Sequence, residues 1–433
     1  MKDPKISKIK AREVLDSKGR PMVETDVWTT SGAMGRGSSP CGTSVGSHEA
    51  FVLRDGGDRL GGLGVLKAVH NVTEIVAPAL VGKSVTDQRG IDNLMIELDG
   101  TADKSRLGGN AIYSVSVAAA RAAAHSLELP LYRYLGGDGA NNVPIPMFNM
   151  INGGKYGDRY VELQEFLLVP ARARSYAEAL RMGVEVFYAL AAVIKKRCGP
   201  EHFQFGHSAG YAAPAGDPEE NIELLLLAVE EAGYGDQFKI GLDCAASHFY
   251  DKKLRLYNFR GKKVGREEFI GFLEKLAGAY HVFLIEDPLN EDDFEGFADI
   301  SRRLDLLICG DDLFVTCIER LKKGVQHQAA DAMVLKPNMV GTLSEALDAA
   351  RYAKEHGYVV IPSIRAGGAV DDPTPDVAVA VSAPLIKCGA PRSGERTTCQ
   401  NRLLQIEEEL GSFVGFPSFE MIERTTRPSQ IKE

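Results

Sequence analysis

Three acidic residues close three apolar runs: Asp243 ends KIGLD, Glu286 ends VFLIE and Asp311 ends LLICGD. Carboxylates so placed suit a hard divalent cation, because Mg²⁺ takes few protein oxygens and keeps positions open for water or substrate. A lone strand-end Asp or Glu is more simply a cap for the following helix; three in successive units favour a metal site. Two lysines extend the pattern, Lys336 ending AMVLK and Lys387 ending LIK. A lysine after an apolar run is costly unless it meets anions or loses its proton. Beside a metal and a second lysine its pKa should fall, which suits a general base. Pairing of either lysine with Asp311 or Glu286 is the plainer alternative. Together the five residues point to removal of a proton α to a carboxylate, with a metal binding the enolate dianion that results.

Such residues must be delivered to one place by the chain's elements. Short apolar runs recur at 143–148, 163–169, 238–243, 282–287, 306–311, 332–336, 358–363 and 384–388, and helical patterns separate most of them. This alternation predicts an α/β fold with a closed (β/α)₈-type barrel and its site at the C-terminal ends of the strands; a doubly wound open sheet is the alternative. Asp217-Pro218 opens one helix that Gly233 closes, and Thr342 with Glu345 has capping-box spacing before a helix ended by Gly357. Leu180, Val184, Phe187, Ala191 and Ile194 make an apolar stripe.

The first forty residues read instead as strands. Arg20-Pro21 marks a turn, and Val23, Thr25 and Val27 alternate with polar neighbours as in a half-buried strand. From Leu63 to about Leu135 the spacing is helical, and Gly136 to Asn142 is the best linker. Two domains are expected: a smaller N-terminal α+β domain at 1–138 and a barrel at 139–433. Gly61-Gly62-Leu63-Gly64 is not G-x-G-x-x-G, so a dinucleotide site is poorly supported.

A chain of 433 residues with 44% hydrophobic and 25% charged residues is globular and too long for one ordinary core. Its formal net charge of −9 argues against nucleic acid or an anionic membrane as partner. No apolar run follows the charges of Met1 to Lys10, and none elsewhere is long enough to span a bilayer. Seven cysteines, an odd number without C-x-x-C spacing, fit reduced thiols and hence the cytoplasm.

The segment DAMVLKPNMVGTL (331–343) resembles the signature of the enolase family. The resemblance recurs along the chain at EVLDSKGRP (13–21), Cys41 to Ala50, DKSRLGGNAI (103–112), MINGG (150–154), LQEF (163–166), LDCAAS (242–247), IEDPL (285–289), GDDLFVT (310–316) and RLLQIEEELG (402–411). It implies the enolase-type barrel with its smaller N-terminal domain, a cytoplasmic homodimer or larger assembly, and Mg²⁺ as cofactor. By resemblance Asp243, Glu286 and Asp311 take the positions of the main Mg²⁺ ligands, and Ser44 that of a loop serine on a second Mg²⁺. Lys336 falls on the base that removes the C2 proton of 2-phosphoglycerate. Lys387 falls on a substrate-carboxylate contact, Arg365 on a phosphate contact, and Gln164 and Glu165 on a polar pair lining the site.

The departures from the family concentrate where the leaving group is handled. The family's Gly-Asp-Glu-Gly-Gly, whose Glu helps expel the C3 hydroxyl, is here Gly206-His207-Ser208-Ala209-Gly210, and Ser208 cannot donate a proton at neutral pH in the same way. Ser-His-Arg-Ser becomes Ser363-Ile364-Arg365-Ala366, the loop histidine becomes Tyr156, and a signature Gln becomes Met339. His207 and Tyr156 are the candidate substitute acids. Three functions follow: an enolate-forming lyase acting on 2-phosphoglycerate or a related small carboxylate or phosphate anion with altered substrate or outcome, conventional phosphopyruvate hydratase of glycolysis, and a binding protein on the same fold. A protein drifting without function has no need to keep a buried cluster of charges, which counts against the third.

Overall fold

The computed structural model describes residues 3–42, 46–154 and 161–425. Near the N-terminus Ile6–Leu15 (β1), Pro21–Thr29 (β2) and Met34–Ser39 (β3) form an antiparallel meander. The Asp16 carboxylate accepts from the backbone N–H groups of Lys18 and Arg20 at 2.8 and 2.9 Å, closing the turn that Arg20-Pro21 signals. The alternation in β2 predicted one wet face, but nearly the whole strand is buried. One face packs on the helix Gly109–Ser126, where Thr25 Oγ1 lies 2.7 Å from Ser114 Oγ. On the other, Arg12 and Arg36 cover Asp26. A Cβ at Gly37 would come within 2.4 Å of the Ser114 carbonyl oxygen, so only glycine lets β3 lie directly on this helix's backbone. The helical stretch from Leu63 to Leu135 is several helices, interrupted at Gly82, Gly100 and Gly108, all at positive φ, and at Pro130.

Each of the eight apolar runs is a strand. In chain order, with shorter strands between them, these are β4 (Ile145–Asn152), β5 (Glu165–Pro170), β6 (Tyr211–Ala212), β7 (Phe238–Asp243), β8 (Tyr250–Asp251), β9 (Leu256–Phe259), β10 (Lys262–Val264), β11 (Leu284–Glu286), β12 (Leu307–Gly310), β13 (Ala332–Leu335), β14 (Val359–Pro362) and β15 (Leu385–Lys387). The large sheet runs β14-β13-β12-β11-β7-β5-β4-β15, and a parallel bridge between Ser363 and Lys387 joins its two ends. The sheet is therefore a closed barrel and not the open alternative. Apolar side chains fill it in register, among them Met147, Leu167, Leu284, Val334, Ile361 and Leu385.

The strand–helix alternation fails at one point. β5 follows β4 as its antiparallel neighbour and also pairs antiparallel with β7, while the other neighbouring barrel pairs are parallel. A crossover helix is needed only between parallel neighbours, so a loop suffices here. The start of β5, rather than its end, then reaches the mouth where the other strands finish.

Among the outer helices, Tyr176–Arg197 begins at Ser175, whose hydroxyl accepts from the Glu178 N–H at 3.1 Å. The predicted stripe on it is displaced: Phe187 and Ile194 are buried, but Leu180, Val184 and Ala191 are only partly so, and Met182, Gly183, Val186, Leu190 and Val193 complete the inner face. The Phe148 ring presses on Gly183, turning the helix toward that side. Thr342 caps its helix by accepting from the Glu345 N–H at 3.1 Å. All seven cysteines are free thiols. No helix among the described residues is long and apolar enough to cross a membrane.

Candidate active site

Parallel register brings the acidic residues to one level. Glu286 pairs with Asp243 on one side and with Cys309 on the other, and Asp311 follows two residues after Cys309. All three carboxylates are buried. Lys387, at the end of β15, reaches across the barrel: its Nζ lies 2.5 Å from Glu286 Oε2, 3.1 Å from Glu165 Oε2 and 3.3 Å from Asp243 Oδ2. Lys336, just beyond β13, donates to Asp311 Oδ2, and its own N–H is held by Thr316 Oγ1 at 2.9 Å. Antiparallel β5 sets Glu165 opposite Asp243, and Gln164 Nε2 lies 3.3 Å from Asp243 Oδ2. One cavity is lined by Gln164, Glu165, Asp243, Asp311, Lys336, Arg365 and Lys387, so strand ends far apart in sequence share a single mouth.

The donor set fits a cation. Glu286 Oε1 and Asp311 Oδ1 are buried without a hydrogen-bond partner among the described residues, a costly state for a carboxylate oxygen. The neighbouring ligands are oxygens only, the preference of a hard divalent ion. Among the described residues, the acidic grouping whose oxygens all lie within 4.8 Å of one another is instead Asp287 with Asp311 and Asp312. There, however, both oxygens of Asp287 are already used: Oδ1 accepts from the Asp311 N–H at 3.0 Å and Oδ2 from the Asp312 N–H at 2.8 Å. Asp287, in the left-handed region at φ 41°, is a clasp that fixes the chain carrying Asp311.

Electrostatics divides the cluster. Burial, then the neighbouring Asp243, drives Glu286 well above the ordinary carboxylate range, and burial raises Asp243 as well. Burial also acts against the charged form of Asp311, but the charge and hydrogen bond of Lys336 outweigh it and hold the group low. The fall expected for the Lys336 pKa was for a lysine beside a metal; with Asp311 as its direct partner the balance runs the other way. Burial does push it down, yet the adjacent Asp311 more than offsets this and raises it. The expectation assumed a cation sharing Asp311; here the carboxylate's whole charge faces the ammonium. Lys387 is likewise raised well above its usual value, because Glu165, Glu286 and Asp243 overcome the burial penalty.

Arg365 enters the cavity with its guanidinium clasped by Glu49, at 2.7 Å from Nη1 to Oε2 and 3.2 Å from Nη2 to Oε1. Gly42, at φ 62°, makes room, since a Cβ there would stand 2.2 Å from Arg365 Nη2.

The comparisons with known proteins decide the family. The description "Enolase, N-terminal domain" matches residues 6–135, and "Enolase, C-terminal TIM barrel domain" matches residues 140–424. The chain is 48% identical over 406 residues to an enolase of Methanocaldococcus jannaschii, covering 94% of this chain and 96% of that one. It is 48% identical over 417 residues to an enolase of Methanopyrus kandleri (95% and 98%), and 46% identical over 422 residues to one of Thermococcus gammatolerans (96% and 98%).

The chain belongs to the enolase family.

It is thus an enzyme of a family of carbon–oxygen lyases, on the α/β barrel with an N-terminal domain that defines enolases. Of the residues singled out from the sequence, Asp243, Glu286, Asp311, Lys336, Lys387, Glu165, Gln164 and Arg365 come together; Ser44 and Tyr156 lie outside the described residues. Ser208 is buried and lines the cavity, its N–H 3.2 Å from Asn152 Oδ1. Met339, Ile364 and Ala366, the positions at which the resemblance implied polar side chains, line it too. His207, one of the two candidate acids, is an exposed loop residue whose carbonyl accepts from Lys18. Sequence reasoning missed Glu49, Asp287 and Asp312, and also Asn149 and Arg396 of the lining. The first three sit inside quoted family segments; Asp287 and Asp312 each directly follow a strand-end acid, whereas Glu49 follows no strand-end pattern. Arg396 lies in the helix Gly394–Leu410, where only the three-dimensional fold reveals that it faces the cavity.

Proposed function

We propose that the protein is a Mg²⁺-dependent lyase-type enzyme that forms an enolate from 2-phosphoglycerate or a related small phosphorylated acid, with a substrate or outcome different from ordinary dehydration. The observation that carries this reading is the contact of Lys387 with Asp243 and Glu286, and of Lys336 with Asp311, in one buried cluster at the cavity. Asp243, Glu286 and Asp311 would hold the Mg²⁺, with Ser44 on a second ion. Bound there, the metal supplies positive charge against the substrate carboxylate as a second negative charge develops on it. Lys336 takes the proton from the carbon α to that carboxylate. Release of its own proton beforehand requires that Asp311 be turned to another cation, which the unpartnered Asp311 Oδ1 favours. Lys387 holds the carboxylate, Arg365 the phosphate, and Gln164 and Glu165 the polar side of the cavity, with Tyr156 a further substrate contact.

The altered outcome rests on Ser208, Ile364 and Ala366. A hydroxyl at Ser208 is no acid at neutral pH, and a positioned acid is typically worth a factor on the order of 10²–10⁴. A second reading, conventional phosphopyruvate hydratase, is supported by 46–48% identity to curated enolases over nearly the whole chain. Purified protein with Mg²⁺ and 2-phosphoglycerate distinguishes the two when phosphoenolpyruvate is followed by absorbance and solvent deuterium at C2 by NMR. Exchange without dehydration is expected; dehydration at ordinary enolase rates would establish the second reading. Cytoplasmic location, a homodimer or larger homo-oligomer, and a division into domains at 1–138 and 139–433 belong to the same proposal. One apolar core, running from Ile6 to Ala123, lies wholly before Gly136 to Asn142, which supports the division, while Tyr113, Val117, Ala120, Ala124 and Leu131 pack into the barrel's core across it.

A further inference from the structure

The flank of the cavity that carries Ser208 contains two buried donors without a hydrogen-bond partner among the described residues. Asn149 is 2% exposed and lines the cavity. Its Oδ1 accepts from Asn152 Nδ2 at 2.8 Å, while its own Nδ2 has no partner among the described residues. Arg396 is 3% exposed and lines the same cavity, and its Nε also lacks a partner. The carboxylate oxygen nearest this group, Glu395 Oε1, is 3.7 Å away and outside hydrogen-bond reach.

Gly389 ties the two donors together. Its carbonyl accepts from the Asn149 N–H at 3.3 Å, and its φ of 72° suits glycine. A Cβ there would lie 2.7 Å from Arg396 Cδ and 3.0 Å from its Nε, so glycine is what lets the arginine lie along this wall. Ser208 stands beside them through Asn152, which accepts from the Ser208 N–H and donates to Asn149. A buried arginine nitrogen and a buried amide left unbonded cost free energy unless a ligand oxygen meets them.

We infer that Asn149 Nδ2, Arg396 Nε and Ser208 form a second oxyanion subsite, on the side of the enolate carbon away from Lys336. It takes a carboxylate, phosphonate or phosphate carried by the substrate one carbon beyond the α position, where 2-phosphoglycerate carries a hydroxyl. The inference rests on the enolate-forming reading and names its substrate class: a phosphorylated acid with an additional terminal oxyanion.

Two acids differing only in that group test the subsite. 2-Phospholactate has a methyl group at C3, and 2-phosphomalate has a methylene bearing a carboxylate. Their binding to the full-length protein with Mg²⁺ is measured by titration calorimetry, and solvent deuterium entering C2 by NMR. Wild-type protein is expected to bind phosphomalate about tenfold or more tightly than phospholactate, the scale of one charge-assisted contact. Arg396→Gln and Asn149→Ala are expected to reduce that ratio toward one while changing phospholactate affinity by less than about twofold, and circular dichroism reports whether each variant is folded. Equal affinities in the wild type, binding of neither acid, or variants that weaken both acids alike would overturn the subsite. A terminal phosphonate in place of the carboxylate distinguishes planar from tetrahedral recognition. If phosphomalate is preferred but no C2 proton exchanges, the subsite stands and the enolate reading falls. Exchange without preference has the opposite consequence.

Discussion

The two flanks of this cavity are built on opposite terms. On one, two ammonium groups and four carboxylates are brought so close that Lys387 alone touches three acids and Lys336 a fourth. On the other, Ser208, Ile364 and Ala366 carry no charge, and Asn149 Nδ2 and Arg396 Nε have no hydrogen-bond partner among the described residues. The first flank is suited to make and hold an anion at carbon; the second is suited to receive one and lacks a means of protonating a leaving group. Proton abstraction and leaving-group departure are separable steps, and on the proposed reading residues for the first are present without those for the second.

The largest expected effect tests the first flank. Lys336→Ala should reduce C2 deuterium exchange by at least about 10³-fold, since it removes the base itself. The same change strands Asp311, which Lys336 now neutralises, so the melting temperature without Mg²⁺ should fall and should recover in part when Mg²⁺ is added. Exchange within tenfold of wild type would break the comparison by removing Lys336 from the chemistry.

The second flank is tested by restoring what it lacks. Ser208→Glu should raise dehydration of 2-phosphoglycerate by about 10- to 100-fold, below the full value of a catalytic acid because Ile364 and Ala366 remain. The measurement is phosphoenolpyruvate absorbance at saturating substrate. No gain in a folded variant would mean that Ser208 is not the limiting position. A smaller effect is expected from the cation. With Mg²⁺ at about 100 times its dissociation constant, binding stabilises the folded chain by about 2.7 kcal/mol. In a chain of this size that shift is a few degrees. Glu286→Gln should remove most of the increment, and an unchanged increment would place the ion elsewhere.

Much of the first flank was legible because its chemistry is coupled to strand periodicity. Asp243, Glu286, Asp311, Lys336 and Lys387 each terminate an apolar run, and in a barrel such ends share one mouth. Glu165 breaks the rule by beginning its strand; nothing in LQEF signals that β5 runs antiparallel, and only its family position marked it. The second flank was legible only as substitutions. Asn149 lies inside β4 with no strand-end signal, and Arg396 enters from an outer helix past a glycine whose importance depends on its φ. The contact between Lys336 and Asp311 was open for a related reason: spacing locates charges but does not say which of them touch.

The smallest effect contrasts the cavity's carboxylates with one outside it. Asp26 is also buried, but Arg36 donates to it at 2.6 Å and Arg12 holds its other oxygen. Burial pushes its pKa up, the two arginines outweigh this, and the group sits below its ordinary value, opposite in direction to Glu286. A carboxylate whose folded pKa is depressed contributes stability that is present above its unfolded pKa, about 3.9, and is lost as pH falls through the lower folded value. Between pH 6 and 3 the melting temperatures of wild type and Asp26→Asn should therefore converge, with most of the convergence below about pH 4. Because Arg36 is roughly half exposed, added salt should shrink the gap at pH 6 as well. A gap that instead widened on acidification would mean that the arginines do not govern Asp26, and that burial sets the carboxylates of the meander as it sets Glu286 in the barrel.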